Sequence, residues 1–438
     1  MSEKKEPVFE NRYPFEAKIQ VNEEKIREIR ENYIKISKIN LEKMRRGKNR
    51  AANMAYFENA LLDKTERIKE LKEFKAKGGK VIGIFCVHVP EELIYAAGCV
   101  PIRMSCGFYD TIAPAEEILP KNICPLIKSS IGFNFLKVNP LFELCDIIII
   151  PTSCDGKKKM AEILSNYQEV WTLEMPNDRD NEVSREFWVK QVRLLKERLE
   201  NLTGSKIEKK VLKKYILKLH ERTALVRELF DLRVGQKIVV DGRDVYFVLQ
   251  TAFFDNPIRW MEKVRLLINE LKKNIQNNKV IVKESTPRII MTGSPLIWPN
   301  MKLLHIIEES GAVVVADDSC ACGQYFYNPA ELEEWSMKSM LEALSDKYLL
   351  PVVCPVFAHC DDRIDRLLEL IEKYKADGVI YHILRLCQVF DFEYIKISKL
   401  FEKKSIPLIK IETEYSEEDA GQIKTRIEAF IEMLEARR

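Results

Sequence analysis

From about residue 20 to residue 77, apolar side chains recur every three or four positions. Ile26, Ile29 and Tyr33 follow one another in this way after Glu23, and Leu61, Leu62, Ile68 and Leu71 do so between Phe57 and Phe74, with charges in the gaps. This spacing predicts helices, and Gly78-Gly79 predicts their end. Residues 1–79 therefore read as a helical N-terminal segment, either a cap or an oligomerisation element. At Lys80 the period changes. KVIGIFC (Lys80–Cys86) is a short continuous apolar run, as expected of a strand buried on both faces. Pro90–Ala97 predicts a helix opened by proline and closed by Gly98. VPIRMSC (Val100–Cys106), CDIIIIPTSC (Cys145–Cys154) and EVWTLEMP (Glu169–Pro176) predict three further strands.

A long charged helical stretch follows, with Trp188, Val192, Leu195 and Leu199 on one face and a predicted break at Pro257. Strand-like runs return at PRIIMTG (Pro287–Gly293), AVVVADDSCACG (Ala312–Gly323), LLPVVCP (Leu349–Pro355), DGVIYHILRLC (Asp377–Cys387) and IPLIKIET (Ile406–Thr413). Helices are predicted at Met301–Glu309, Arg363–Lys375 and Ala420–Leu434. Alternating strands and helices predict parallel sheets with right-handed crossovers. The two halves also repeat a pattern. Lys80–Gly107 matches Arg288–Gly323, Cys145–Cys154 matches Gly378–Cys387, and Glu169–Pro176 matches Ile406–Thr413. The expected fold is α/β, two similar doubly wound parallel-sheet domains. The first would span 80–285 with a helical insertion at about 181–275, and the second 286–438.

Composition narrows the function. Lys+Arg 70 against Asp+Glu 67 leaves a net charge of only +3, without the basic excess of a nucleic-acid binder. No apolar run approaches the ~18–20 residues that span a bilayer. The N-terminal MSEKKEPVFENRYPF lacks an apolar core, so no secretory signal is expected and the cytoplasm is the expected compartment. Eleven cysteines in a reducing compartment are core residues, nucleophiles or metal ligands rather than disulfides. Neither a phosphate-cradling G-x-x-x-x-G-K-[ST] loop nor a G-x-G-x-x-G fingerprint is present, so any ATP chemistry belongs to another polypeptide.

In a parallel sheet the functional crevice lies beyond the carboxyl ends of the strands. Six cysteines fall at such ends or in the loops after them: Cys86, Cys124, Cys154, Cys322, Cys354 and Cys387. Core cysteines would instead scatter through strand middles and helix faces. With only five histidines, such a set suits a soft iron–sulfur centre. No C-x2-C pair is present; Cys320 and Cys322 form C-x-C, and Cys354 and Cys360 form C-x5-C. Structural core thiols, zinc and a thiol nucleophile all stay open on this chemistry alone. Beside Cys86 and Cys360 stand His88 and His359, a possible nucleophile pairing, while His382 reads as a core histidine. The basic turn Lys157–Lys159 reads either as a solvated helix start or as a docking point for an anionic substrate or partner. Glu91 and Glu92 fit a helix N-terminus, and Asp317-Asp318 a turn or a cation site.

Five ordered motifs carry a family resemblance: GIFCVHVPEELIYAAGCVPIRM, CPLIKSSIGF, TSCDGKKKMAE, ADGVIYHILRLC, and IPLIKIETEY with GQIKTRIEAFIEML. Their succession, from about Lys80 to Leu434, resembles the 2-hydroxyacyl-CoA dehydratase / benzoyl-CoA reductase family. The resemblance implies two similar α/β domains with an iron–sulfur cluster between them, a [4Fe-4S] centre held by Cys124, Cys154 and Cys387. The additional Cys86, Cys322 and Cys354 make the chain most similar to the double-cubane branch, whose [8Fe-9S] centre uses six cysteines. Cys106 could stand in for Cys86, and Cys320 for Cys322; Cys99, Cys145 and Cys360 read as structural. The implied partner is a separate ATP-hydrolysing iron–sulfur reductase, itself a homodimer. It would feed low-potential electrons to a homodimeric, oxygen-sensitive oxidoreductase acting on a small molecule, with neither nucleic acid nor membrane as a partner. The alternatives are a subunit of a [4Fe-4S] 2-hydroxyacyl-CoA dehydratase, a lyase, and a non-catalytic cluster scaffold. Catalytic residues are not readable from the sequence.

Overall fold

The computed structural model describes residues 19, 21–45, 47, 49–326, 329–352 and 354–437. The charged N-terminal stretch read for a signal lies outside them. Eight strands form two separate sheets. β1 (Val81–Ile84), β2 (Val100–Arg103), β3 (Ile147–Pro151) and β4 (Val170–Leu173) pair in the order β2-β1-β3-β4. β5 (Arg288–Gly293), β6 (Val313–Asp317), β7 (Gly378–Leu384) and β8 (Leu408–Thr413) pair as β6-β5-β7-β8. All neighbours run parallel. The two sheets thus share one topology, and each strand of the first has its counterpart in the second, as the repeat predicts. The strands β1, β3, β6 and β7 are buried along their whole length, which explains their unbroken apolar runs.

Two predicted elements take another form. The single helix expected across Phe57–Phe74 is split into Met54–Leu62 and Thr65–Ala76. Asp63 adopts extended backbone there and its carboxylate accepts from Thr65 N at 2.9 Å, restarting the helix. Of the run Leu349–Pro355, Leu349 ends the helix Met337–Leu349 and the other described residues form a loop, not a strand. Its prolines, Pro351 and Pro355, withhold the N–H groups a central strand needs. Lobe-crossing bonds hold it instead: Arg179 donates to the carbonyls of Leu350 and Val352, and Ala358 N donates to Asn177 O at 2.8 Å.

Helices bind the two sheets into one body. Met54, Phe57 and Leu61 of the N-terminal segment share a core with Ile289, Met291 and Val314 of the second sheet, whereas Ile29 packs with Val81 and Ile102 of the first. The helix Glu182–Thr203 brings Trp188, Val192 and Leu195 into one cluster with Ile82 and Ile84 of the first sheet and Met340 and Leu344 of the second half. Glu91 and Glu92 do more than meet a helix dipole. Glu91 is ion-paired with Arg222 and accepts from Tyr325 OH; Glu92 accepts from Lys347 Nζ at 2.6 Å and Tyr348 OH at 2.8 Å. Both carboxylates are buried, so each carries charge partners from beyond its own helix. No helix among the described residues is long and apolar enough to cross a membrane.

At the end of β5 the chain turns through Gly293 (φ +102°), where an added Cβ would collide with the carbonyl oxygen of His382. The next residue, Ser294, accepts from Leu384 N through Oγ at 3.0 Å and so braces the end of β7. Gly293→Ala is expected to cost about 2 kcal/mol or more, read as a lower denaturant midpoint against the unsubstituted chain.

Candidate metal centre

The strand ends of both sheets approach one another, and the cleft between them is marked by cysteine side chains that act electrostatically on one another. Cys86 lies two residues past β1 with its backbone in the left-handed region (φ +61°), a strained setting for a residue with a side chain. Cys154 follows β3, and Cys387 follows β7 after another left-handed residue, Leu386 (φ +63°). Cys124 precedes the helix Pro125–Phe135. Three of these residues are helix N-caps: Cys124, Cys154 at Asp155–Leu164, and Cys387 at Gln388–Lys403. Backbone N–H groups of each helix's first turn act to lower the thiol at its start, Leu126 and Ile127 on Cys124, Lys157 on Cys154 and Phe390 on Cys387. Helix N-termini favour negative charge on sulfur.

Thiols from the two halves meet directly. The Cys124 and Cys387 thiols act on one another: Cys387 lowers Cys124 to about 7, and Cys387 itself rises. Burial raises Cys154, which also feels the charges of Cys124 and Cys86. Burial pushes Cys320 up to about 11 and Cys354 well above the ordinary thiol range; both feel Cys86, and Cys354 also feels Cys320. The cleft therefore holds two groups, Cys124–Cys154–Cys387 and Cys86–Cys320–Cys354, joined through Cys86 and Cys154. All six are partly accessible.

Five of the six sequence-predicted positions lie in this cleft; Cys322 does not. Its thiol is buried in the core of the second half against Asp317 and Asp318, and Cys320, two residues earlier, faces the cleft instead. The tight 319–326 turn after β6 sends these two side chains opposite ways, which C-x-C spacing cannot resolve. Cys106 also lies elsewhere: it is buried, with Sγ 3.7 Å from Trp298 O. Cys99 and Cys145 are buried in the first half, and Cys360 sits 3.9 Å from Arg179 Nη2. His88 turns its Nδ1 to Tyr348 O (2.8 Å), not to Cys86, and His382 its Nδ1 to Ser294 O (2.7 Å). Burial pushes both down to about 4, so they are neutral core histidines. Asp318 is taken up by Arg363 and Arg366, and Asp317 accepts from Ser319 N.

Two cations accompany the thiols. Lys157 is buried, with Nζ 4.4 Å from the centre of the Phe85 ring; burial lowers it, while Cys86, Cys154 and Cys124 act to raise it. Lys158 and Lys159 instead face solvent and pair with Asp155 and Glu162. The basic turn is therefore not one patch. Arg103, the last residue of β2, donates from Nη2 to Cys320 O at 3.1 Å. A strand-end arginine in VPIRM was its only signal in the sequence.

Among the described residues no three His, Cys, Asp or Glu side chains are gathered closely enough for a single metal ion. Six spaced thiols with two buried cations suit a polynuclear iron–sulfur centre, held by thiolates around its rim, better than a lone zinc ion. Thiols raised by burial stay protonated until metal displaces their protons.

A sequence model described as "2-hydroxyglutaryl-CoA dehydratase, D-component" matches residues 86–434. An Escherichia coli K12 protein named as a dehydratase subunit, YjiM, is 33% identical over 83% of this chain and 93% of its own length. The (R)-phenyllactyl-CoA dehydratase beta subunit of Clostridium sporogenes is 26% identical, covering 87% of this chain and 100% of its own. One of the benzoyl-CoA reductase subunits of Thauera aromatica is 24% identical over 79% of this chain and 87% of its own.

In the metal-free chain, alkylation of Cys124 should rise with pH through about 7, where its thiolate forms, and fall away below it. Cys387→Ala removes the thiol that lowers Cys124 and should move that inflection up toward about 8.5, as followed by peptide mass spectrometry. An unmoved inflection would contradict the pairing.

Proposed function

Because the chain belongs to the 2-hydroxyglutaryl-CoA dehydratase D-component family, whose members include 2-hydroxyacyl-CoA dehydratase and benzoyl-CoA reductase subunits, we propose that it is a cytoplasmic iron–sulfur reductase component. It receives low-potential electrons from a separate ATP-hydrolysing iron–sulfur homodimer and delivers them to a small molecule at a double-cubane [8Fe-9S] centre. The observation that carries this reading is the cleft of six partly accessible thiols, two trios drawn from both halves of the chain. Cys86, Cys124, Cys154, Cys320, Cys354 and Cys387 would hold the centre, with Cys320 in place of the expected Cys322. When bound, such a centre supplies one-electron transfer at low potential.

The chain's own residues prepare the site for that charge. Lys157 and Arg103 offset negative charge where little water reaches, and three of the thiols stand at helix N-termini, whose dipoles favour negative charge. Phe85 closes over Lys157 and keeps its charge directed at the thiols. The lack of a phosphate-cradling loop in the sequence supports a separate polypeptide for ATP. Two copies would form the working homodimer.

A second reading is favoured by the three N-cap thiols alone. Cys124, Cys154 and Cys387 suffice for one [4Fe-4S] cluster in a 2-hydroxyacyl-CoA dehydratase subunit. Iron and sulfide analysis of protein purified without oxygen separates the two: about eight irons per chain on the first reading and about four on the second. On the first, Cys320→Ser lowers iron content and Cys322→Ser leaves it unchanged. A colourless, iron-free chain would refute both.

A further inference from the structure

A small cavity of about 50 Å3 lies where the N-terminal helices and the end of the first sheet meet the 250–254 and 297–298 segments. Aromatic rings dominate its wall, among them Tyr33, Phe133, Phe253 and Trp298, and no carboxylate among the described residues lines it. Two cations do. Arg103 is 7% exposed, its guanidinium held between Phe253 and Tyr325 with ring centres at 4.5 and 4.9 Å. Its Nη2 is used by Cys320 O, but Nε and Nη1 are buried without an acceptor. Lys64, also in the wall, donates to Leu61 O and lies over the rings of Tyr33 and Phe254. Burial pushes Lys64 down to about 8.

Buried donors without partners are costly and call for an occupant that accepts from them. Two cations without a carboxylate call for an anion. Size limits it: a cavity of about 150 Å3 holds benzene, so this one takes only a few heavy atoms. We propose that the cavity is a binding site for a one- or two-carbon carboxylate, formate or acetate, held by Arg103 and Lys64. The carboxylate oxygens accept from the guanidinium and the ammonium, and the rings enclose the remainder. This site does not depend on the iron–sulfur reading, although Arg103 is a wall common to the cavity and the cleft.

The test is calorimetric titration of the anaerobically purified holoprotein with sodium formate and sodium acetate, with chloride at equal ionic strength as the control. Saturable one-to-one binding is expected. Arg103→Met should weaken it by at least about tenfold, Arg103→Lys less, and Lys64→Met should weaken it as well. Iron content, measured on every variant, separates loss of this site from loss of the metal centre. Absence of saturable binding, equal binding of chloride, or affinity unchanged in both Arg103→Met and Lys64→Met would overturn the assignment.

Discussion

Strands that run parallel all finish on the same side of their sheet. In this chain that constraint acts twice, on two sheets of identical order, and it creates the cleft. Each strand end needs a loop, and the loops carry the cysteines. Once the two sheets face one another across their carboxyl ends, residues some 260 positions apart become neighbours, as Cys124 and Cys387 do. The helix starts reinforce this, because a parallel strand is followed by a helix whose N-terminus opens on the same side. A thiol at the N-cap thus receives both position and favourable electrostatics from one topological fact.

The cleft is costly to build, and the rest of the fold offsets that cost. Thiols with little water around them resist ionisation, and Lys157 resists it in the opposite sense. Such groups persist only where the surrounding structure holds them. Here the frame is made by groups other than the thiols. Glu91 and Glu92 bind the first half to Arg222, Lys347 and Tyr348, and Trp188 sits in a core common to both halves. The described residues of the Cys354 loop have no regular structure of their own, and Arg179 holds the loop across the lobes. Its position is therefore a property of the interface between halves rather than of either half.

Much of this was legible along the chain. Short apolar runs marked the strands with little displacement, and the internal repeat anticipated the common strand order. The run LLPVVCP misled because apolar composition is common to buried strands and buried loops, and only its prolines spoke against a strand. The division at Asp63 was hidden because one extended residue interrupts a helix without changing its apolar period. Glu91 and Glu92 were placed at a helix start correctly, but their partners lie more than 100 residues away and leave no local trace.

The sequence by itself determined the class of fold, the twofold repeat and the fact that cysteines gather at strand ends, because these follow from periodicity and from chain order. Tertiary structure alone decided which sulfur faces the cleft. Cys320 and Cys322 differ by two residues in a tight turn, and the direction of a side chain there depends on backbone dihedrals and on what packs behind it. It also decided that Lys157 is buried while its two neighbours are exposed, and that Arg103 lines the small cavity while donating to Cys320 O. A one-dimensional pattern records which residues are near a turn; only packing in three dimensions chooses the side from which each is seen.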